Sequence, residues 1–188
     1  MSDTITFNTE TQAFGMQRPD KCSGYGLGEM IKDMVNPIGL EIGCDIGDTS
    51  NFLLDVNPSL HLTSIDPYTN YVDWNGNQLN EREELFQRAM HRLEGYSNRF
   101  DLVRQTSDEA CSLFDTEQFD FIFIDGLHTY EQLTKDCVNY YSKLKSGGIF
   151  AGHDFTAIEG VNRAAKEFAD KTGREIHLTE KDVWYWIK

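Results

Sequence analysis

The sequence predicts a single-domain α/β fold over residues 1–188, built on a doubly wound, mostly parallel seven-stranded sheet. Strand-like segments alternate along the chain with amphipathic helical segments, a pattern typical of parallel sheets joined by right-handed crossovers. The strongest strand signal is FDFIFID at 119–125, whose nearly unbroken apolar character indicates a strand buried on both faces. A length of 188 residues suits one domain with one substantial core.

The spacing of apolar residues predicts each element in turn. Ahead of a core that spans 37–188, the N-terminal segment 1–36 combines a polar arm with a helix over 27–35. The predicted parallel strands are 38–43, 60–66, 100–105, 119–125 and 149–152. The predicted helices between and after them are 48–56, 85–93, 107–114, 133–144 and 158–168. Two final strand-like runs, 174–179 and 183–187, predict a C-terminal antiparallel hairpin.

Glycines and one long segment separate these elements. Gly95 and Gly173 are predicted to end the helices before them, because glycine readily adopts the left-handed conformation at a helix C-terminus. The pair at 147–148 is predicted to end the helix 133–144. The segment 67–80 shows no period and is predicted to be a loop, and loops of that length are often functional.

Composition excludes several classes of protein. Lys and Arg number 17 against 31 Asp and Glu, so the formal net charge is -14 and the surface repels phosphate backbones. Nucleic acid is therefore not an expected partner. No apolar stretch approaches the roughly 20 residues of a membrane span, and the four cysteines match neither zinc-site nor C-x-x-C spacing. We expect a cytoplasmic protein with reduced thiols and no membrane partner.

The first predicted strand runs into a turn with two glycines, EIGCDIGDT at 41–49. Its G-x-x-x-G spacing differs from the G-x-G-x-x-G of dinucleotide sites, where a pyrophosphate lies at a helix N-terminus. Glu41, Asp45 and Asp48 would repel a pyrophosphate and suit a cationic ligand. Asp66 ends the second strand, where a carboxylate can accept hydrogen bonds from ribose hydroxyls. These features predict a site for a cationic nucleoside such as S-adenosylmethionine, which carries a sulfonium and an ammonium group.

The E-x-G-x-x-x-G turn followed by a strand-end acid resembles the class I S-adenosylmethionine-dependent methyltransferases, which have a Rossmann-like fold. The resemblance runs from about residue 38 to the terminal hairpin. It implies that Glu41 lies near the amino-acid portion of the cofactor, that Asp66 holds the ribose, and that the loop 106–108 holds the adenine. The residues expected to bind the cofactor are Glu41, Gly43, Cys44, Asp45, Gly47, Thr49, Asp66, Pro67, Ser107, Asp108 and Asp125.

A second motif follows the fourth and fifth strands, DGLHTYE at 125–131 and GHDF at 152–155. Loops after neighbouring parallel strands lie over the same crevice, so the two halves are expected to meet. The pattern resembles methyltransferase family 24, a subgroup similar to the catechol-type and macrocin-type O-methyltransferases. This resemblance implies methylation of a hydroxyl on a small molecule or a sugar.

Two chemical roles remain open for this motif. In the first, His128 is a general base beside Asp125, since a histidine can take a hydroxyl proton near neutral pH. In the second, Asp125, His153 and Asp154 bind a divalent metal, as the related O-methyltransferases bind Mg²⁺ at this place. Two aspartates suit Mg²⁺, whereas a histidine ligand favours ions such as Mn²⁺.

The acceptor side is less defined by sequence. The loop 67–80 and the N-terminal arm, with Arg18 and Lys21, are expected to wall or cover the site. No large cap domain follows from the pattern, so we expect a small acceptor, or a site completed by the second subunit of a homodimer. The alternative function is a binding protein that holds S-adenosylmethionine or S-adenosylhomocysteine without methyl transfer. A nicotinamide dehydrogenase is disfavoured by the absent G-x-G-x-x-G.

Overall fold

The computed structural model describes residues 22–73 and 75–188. The predicted arm, with Arg18 and Lys21, and Trp74 of the loop lie outside the described residues. Within the described part of the chain, no helix is both long enough and apolar enough to cross a membrane.

From residue 25 to the end of the chain, the described residues form six α-helices and nine strands. The helices are α1 (Tyr25–Ile31), α2 (Asp48–Val56), α3 (Arg82–Leu93), α4 (Ser107–Ala110), α5 (Tyr130–Tyr141) and α6 (Glu159–Thr172). The strands are β1 (Ile38–Ile42), β2 (His61–Ile65), β3 (Tyr71–Val72), β4 (Gln78–Leu79), β5 (Phe100–Val103), β6 (Phe119–Ile124), β7 (Leu144–Gly152), β8 (His177–Leu178) and β9 (Trp184–Ile187).

Seven strands form the main sheet in the order β5-β2-β1-β6-β7-β9-β8. The strands from β5 to β7 pair in parallel, and β9 is antiparallel to both of its neighbours. This arrangement confirms the predicted seven-stranded, mostly parallel sheet with its reversed C-terminal hairpin. The chain builds outward from β1 to β5 and then starts again on the other side at β6, so the order switches between β1 and β6.

The register of the central strands brings the ends of β1, β2 and β6 level with one another at the same edge of the sheet. Ile42 of β1 pairs with Ile65 of β2 and with Ile124 of β6. The residues that follow these three strands therefore emerge side by side at the switch point, where open α/β sheets bind their ligands.

Helices cover both faces of the sheet, and β6 shows why. Its side chains alternate, because successive residues of a strand point to opposite faces. Phe121 and Phe123 pack with apolar residues of α1, α2 and α3, whereas Ile122 and Ile124 pack with those of α5 and α6. All four side chains are buried, which confirms the prediction of a strand buried on both faces.

The segment 67–80 is more ordered than a plain loop. Its two-residue strands β3 and β4 pair antiparallel, with Tyr71 opposite Leu79. Asp73 Oδ1 accepts hydrogen bonds from the backbone N–H groups of Asn75 (2.9 Å) and Asn77 (2.8 Å), which closes the turn between the strands. Strands of two residues are too short to give a periodic signal in sequence.

Two of the glycine predictions were wrong and one is confirmed. Gly173 ends α6 with φ of 67°, as expected. Gly95 does not end a helix, because α3 passes at Leu93 directly into a 3₁₀ turn, Glu94–Tyr96, that contains it. The pair at 147–148 lies inside β7, since α5 ends at Tyr141 and β7 begins at Leu144.

Candidate active site

A cavity of about 670 Å³ lies at the carboxyl ends of β1, β2 and β6, next to the switch in strand order. Loops after four parallel strands and the first turn of α3 form its wall. The sequence-predicted residues that line it are Gly43, Asp45, Asp66, Pro67, Ser107, Asp108, Asp125 and His128. The remaining predicted cofactor residues, Glu41, Cys44, Gly47 and Thr49, lie beneath or behind the turn rather than on the cavity wall.

Glu41 anchors the turn from below. It is fully buried, and its carboxylate accepts hydrogen bonds from the hydroxyls of Ser50 on α2 and Ser64 on β2. Burial raises the pKa of Glu41 to about 7, against the opposing effect of the two serine hydroxyls. This acid therefore ties β1, β2 and α2 together under the cofactor turn.

The two turn glycines are required by contacts within the protein itself. Gly43 has φ of 98°, and a Cβ there would lie 2.2 Å from the carbonyl oxygen of Asp125. Gly47 has φ of 78°, and a Cβ there would lie 2.8 Å from Leu93 of α3. Their absent side chains let the turn after β1 pack against the loop after β6 and against α3.

Cys44 and Thr49 face the interior behind the turn. The Thr49 hydroxyl lies 2.9 Å from the Ser23 hydroxyl and 3.5 Å from the Cys22 sulfur, so the start of the described chain covers it. Cys44 Sγ lies 3.6 Å from the Ser50 hydroxyl. Burial raises the pKa of the Cys44 thiol, which therefore stays protonated and unreactive.

Asp66 joins the end of β2 to the cofactor turn. Its Oδ2 accepts hydrogen bonds from the backbone N–H groups of Cys44 (3.2 Å) and Asp45 (3.0 Å). Its Oδ1 accepts one from the N–H of Tyr68 (2.9 Å). A carboxylate offers about four acceptor positions, so Asp66 keeps the capacity to accept hydrogen bonds from a ribose.

Arg82 is a cavity residue that the sequence did not indicate. It is the first residue of α3 and is 7% exposed. Its Nη1 lies 3.1 Å from Asp45 Oδ1, and its Nη2 lies 3.7 Å from Asp66 Oδ2. In sequence an arginine at the start of an amphipathic helix resembles a solvated end, so no local signal separates it from surface residues.

A polar network closes the end of the cavity predicted to hold the adenine. Thr106 caps α4, which places Ser107 and Asp108 at the cavity. Across from them, buried Asp136 of α5 accepts hydrogen bonds from Ser107 Oγ (2.6 Å) and Gln132 Nε2 (3.1 Å). Burial raises the pKa of Asp136 to about 6. Sequence analysis missed Gln132 and Asp136, although their spacing of four residues places them on one face of the helix.

The second motif converges beside the cavity. Candidate ligand atoms of Asp125, His128 and Asp154 all lie within 4.8 Å of one another. His128 Nε2 lies 3.2 Å from Asp125 Oδ1 and 3.0 Å from Asp154 Oδ2. His153, the predicted third metal ligand, lies next to this group, with Nδ1 3.1 Å from Asp154 Oδ1 and 3.7 Å from Asp125 Oδ1.

Within this cluster, His128 and Asp154 each stabilise the ionised form of the other. Burial lowers the pKa of His128, but the hydrogen bonds and charges of Asp125 and Asp154 outweigh it and raise the pKa to about 9. Burial likewise opposes ionisation of Asp154, yet hydrogen bonds from His128 and His153 hold its pKa well below the usual range. At neutral pH, without a metal, His128 is therefore an imidazolium between two carboxylates and has no free nitrogen to take a proton.

The loop after β7 has a strained backbone at the cluster. Asp154 has φ of 60°, in the left-handed region that non-glycine residues rarely adopt. The terminal hairpin holds the loop: Asp182 accepts hydrogen bonds from the N–H groups of Thr156 (2.8 Å) and Ala157 (3.1 Å). Trp184 Nε1 donates to the carbonyl of His153 at 3.2 Å. Strain at such a position is commonly found at functional sites.

Residues 40–155, well over half of the chain, match the model of a family described as a methyltransferase domain, methyltransferase family 24. No curated protein matches the sequence significantly.

Solved structures with the same fold include several methyltransferases. A protein assigned as a caffeoyl-CoA O-methyltransferase from Staphylococcus aureus is 20% identical, with a TM-score of 0.63, over 86% of this chain and 82% of that one. The S-adenosylhomocysteine-bound methyltransferase PaMTH1 of Podospora anserina is 14% identical, with a TM-score of 0.62, over 100% and 99%. A precorrin-6y C5,15-methyltransferase from Geobacter metallireducens is 14% identical, with a TM-score of 0.61, over 100% and 90%.

The fold, the turn after β1 and the acid after β2 define a class I methyltransferase that uses S-adenosylmethionine. Its second motif, from Asp125 to Asp154, falls within the matched residues. The chain belongs to methyltransferase family 24.

Proposed function

We propose that the enzyme transfers a methyl group from S-adenosylmethionine to a hydroxyl of a small-molecule or sugar acceptor. The observation that carries this proposal is the convergence of Asp125, His128 and Asp154 at the edge of the cofactor cavity. A hydroxyl is a weak nucleophile until it loses its proton, and a cluster of carboxylates and imidazole is suited to promote that loss.

Within this proposal, Asp125 and Asp154 hold a divalent metal, together with His128 or His153. The donor set fits such an ion, because the ligand atoms lie within 4.8 Å of one another and two of them belong to carboxylates. A nitrogen ligand beside two oxygens favours Mn²⁺ over Mg²⁺. When bound, the ion would lower the pKa of an acceptor hydroxyl and orient it. It must also displace the proton from His128, so metal affinity is expected to rise with pH.

The competing role for His128 is general base without a metal. Its raised pKa argues against that role near neutral pH, since the imidazole is already protonated there. Chelator separates the two roles better than His128→Ala alone, because His128 is also a candidate metal ligand. If His128 is a base without a metal, His128→Ala loses turnover while cofactor still binds, and chelator leaves wild-type turnover unchanged. If a metal activates the hydroxyl, chelator abolishes wild-type turnover.

The acceptor is proposed to be small and without strong negative charge. Asp125 lines the cavity, Asp154 lies 3.0 Å from the cavity residue His128, and the chain as a whole carries a net charge of -14. Two apolar side chains that line the cavity, Leu79 and Leu127, offer a wall for a planar or aliphatic body. Because of the same negative charge, we propose that nucleic acids and membranes are not partners. We also propose that a second subunit completes the site if the enzyme dimerises.

The test is methyl transfer from labelled S-adenosylmethionine to a panel of hydroxyl, amine and thiol acceptors, with products located by mass spectrometry. The proposal expects O-methylated products and activity that chelator abolishes and Mn²⁺ or Mg²⁺ restores. Transfer only to nitrogen, carbon or sulfur would overturn the hydroxyl assignment. Tight cofactor binding without transfer to any acceptor would favour a binding protein instead.

A further inference from the structure

Arg82 is a buried cation in a cavity otherwise rich in acids. It is the one Lys or Arg among the cavity-lining residues in the described part of the chain. Asp45 and Asp66 lie beside it, and further carboxylates line the same cavity. A charge buried to this extent is costly unless it is paired, so its position needs an explanation.

The contacts of Arg82 are ionic and aromatic rather than fully hydrogen-bonded. Nη1 pairs with Asp45 and Nη2 faces Asp66, while Nε is buried with no hydrogen-bond partner among the described residues. The guanidinium carbon lies 5.4 Å from the ring centre of Tyr71 and 6.0 Å from that of Tyr68. An arginine placed only for stability would be expected to satisfy its buried donors. The two acids and the two rings therefore dictate where this one lies.

We propose that Arg82 is a positioning residue for the ribose of the cofactor. Its guanidinium lies between the two carboxylates, with Nη1 on Asp45 and Nη2 3.7 Å from Asp66 Oδ2, and so helps to fix how the Asp66 carboxylate faces the cavity. Asp66 can then accept hydrogen bonds from the ribose hydroxyls in one orientation. This inference rests on the assignment of the cavity to S-adenosylmethionine, and not on the proposed hydroxyl acceptor, so the two can fail separately.

Arg92 provides a matched control on the same helix. It is 9% exposed, and its Nη1 lies 2.6 Å from Asp48 Oδ1 and 2.6 Å from the carbonyl oxygen of Ile46. It therefore braces the same turn through an acid and a carbonyl, but it does not line the cavity. Removing either arginine should loosen the turn, whereas only Arg82 should affect recognition of the ribose.

The experiment measures calorimetric affinity for S-adenosylhomocysteine and for its 2′-deoxy and 3′-deoxy analogues. The wild-type enzyme should favour the intact ribose by about tenfold or more, the amount expected for a hydrogen bond to a charged acceptor. Arg82→Gln should reduce this preference to about threefold or less. Arg82→Lys should restore part of it, because a lysine keeps the charge but not the fork of donors.

Arg92→Gln should weaken all three ligands to a similar extent and leave the preference unchanged. In an Asp66→Asn background, Arg82→Gln should have little further effect on the preference, because both changes act on the same acceptor. The inference is overturned if Arg82→Gln retains the wild-type preference or matches Arg92→Gln. It is also overturned if the wild-type enzyme does not distinguish the deoxy analogues. Methyl transfer plays no part in these measurements, so a failure of the hydroxyl proposal would leave them intact.

Discussion

At the scale of single residues, protonation of His128 decides what the second motif can do. The imidazole lies between Asp125 and Asp154, and this placement opposes the effect of burial on its pKa. A metal and a proton compete for the same nitrogen. The pKa of His128 therefore reflects the contacts with Asp125 and Asp154 most directly when no metal is bound.

The first prediction concerns the titration of His128 in chelator-treated enzyme. By NMR its ring should titrate near pH 9, because both carboxylates favour the charged form, and Asp154→Asn should lower that pKa. Since the folded pKa lies above the ordinary 6.5, the stabilisation is fully present below pH 6.5 and is lost as the pH rises through about 9.

The loss should amount to about 3 kcal/mol in the free energy of unfolding between pH 6.5 and 9.5, from a shift of this size. His128→Gln is the control and should lack this pH dependence. A ring that titrates at or below pH 6.5 would contradict the prediction.

The second prediction concerns Asp66. Asp66→Ala should abolish measurable binding of S-adenosylhomocysteine in calorimetry, because the change removes the ribose acceptor and frees the N–H groups of Cys44 and Asp45 that hold the turn. Asp101→Ala is the control, since that acid is exposed and pairs with His61 on the sheet edge. Unchanged affinity in Asp66→Ala would reject the assigned site.

At the scale of elements, one glycine in the turn after β1 allows that turn to contact the loop after β6. Gly43 lets the turn approach the backbone of the loop after β6, so the cofactor turn and the second motif are packed directly on each other. From sequence, Gly43 is expected to be a cofactor-binding residue. The structure adds the contact with Asp125, which follows a neighbouring strand and lies 82 residues further along the chain.

The third prediction compares Gly43→Ala with Gly147→Ala. Both glycines have positive φ, 98° and 81°, but only at Gly43 would a Cβ meet backbone atoms, whereas Gly147 faces open space. Gly147→Ala should cost about 1 kcal/mol in the free energy of unfolding, from the left-handed backbone alone. Gly43→Ala should cost about 3 kcal/mol or more, because the clash adds to that strain. Equal costs in denaturant unfolding would show that the close contact is relieved without penalty.

The fourth prediction concerns the terminal hairpin and the loop after β7. Asp182→Ala should reduce the affinity of the proposed cluster for Mn²⁺ while leaving the affinity for S-adenosylhomocysteine unchanged, because it releases the N–H groups of Thr156 and Ala157. The free energy of unfolding should fall by about 1 kcal/mol. Asp182→Asn, which keeps one acceptor oxygen, should retain most of the Mn²⁺ affinity. A parallel loss of Mn²⁺ and cofactor affinity would show a general loosening instead.

At the scale of the whole molecule, the main electrostatic feature is the excess of acidic over basic residues. The net charge of -14 opposes compaction through mutual repulsion of the acids, and several of those acids lie around one cavity. Arg82 and Arg92 offset part of this repulsion locally, but most of the excess charge remains at the surface.

The fifth prediction follows from that charge. Raising NaCl from 0.01 to 0.15 M should raise the melting temperature by a few degrees, because salt screens repulsion between exposed acids more than it weakens buried pairs. Replacing exposed Glu175 and Glu131 by lysine should reduce the salt dependence, since together they change the net charge from -14 to -10 and so reduce its magnitude. A melting temperature that falls with salt would mean that attractive pairs outweigh the repulsion.

Sequence alone determined the order of the elements of the main sheet, the seven-stranded sheet itself and the two motifs of the site, but not the short strands β3 and β4. It could do so because apolar periodicity, turn glycines and strand-end acids are local features, and a parallel sheet brings its strand ends to one edge. It thereby predicted Asp66, Asp125, His128 and Asp154 as site residues, and the structure brings the first three to one cavity and Asp154 next to His128.

The tertiary structure alone decided which side chains meet. Arg82 begins α3, after the segment 67–80, and still lies next to Asp66 at the end of β2. Asp136 on α5 accepts a hydrogen bond from Ser107 on α4, and β6 separates these two helices in the chain. It also placed His128, rather than His153, between the two aspartates. Such contacts depend on crossover geometry and side-chain direction over many residues of separation, and no short-range pattern in the chain encodes them.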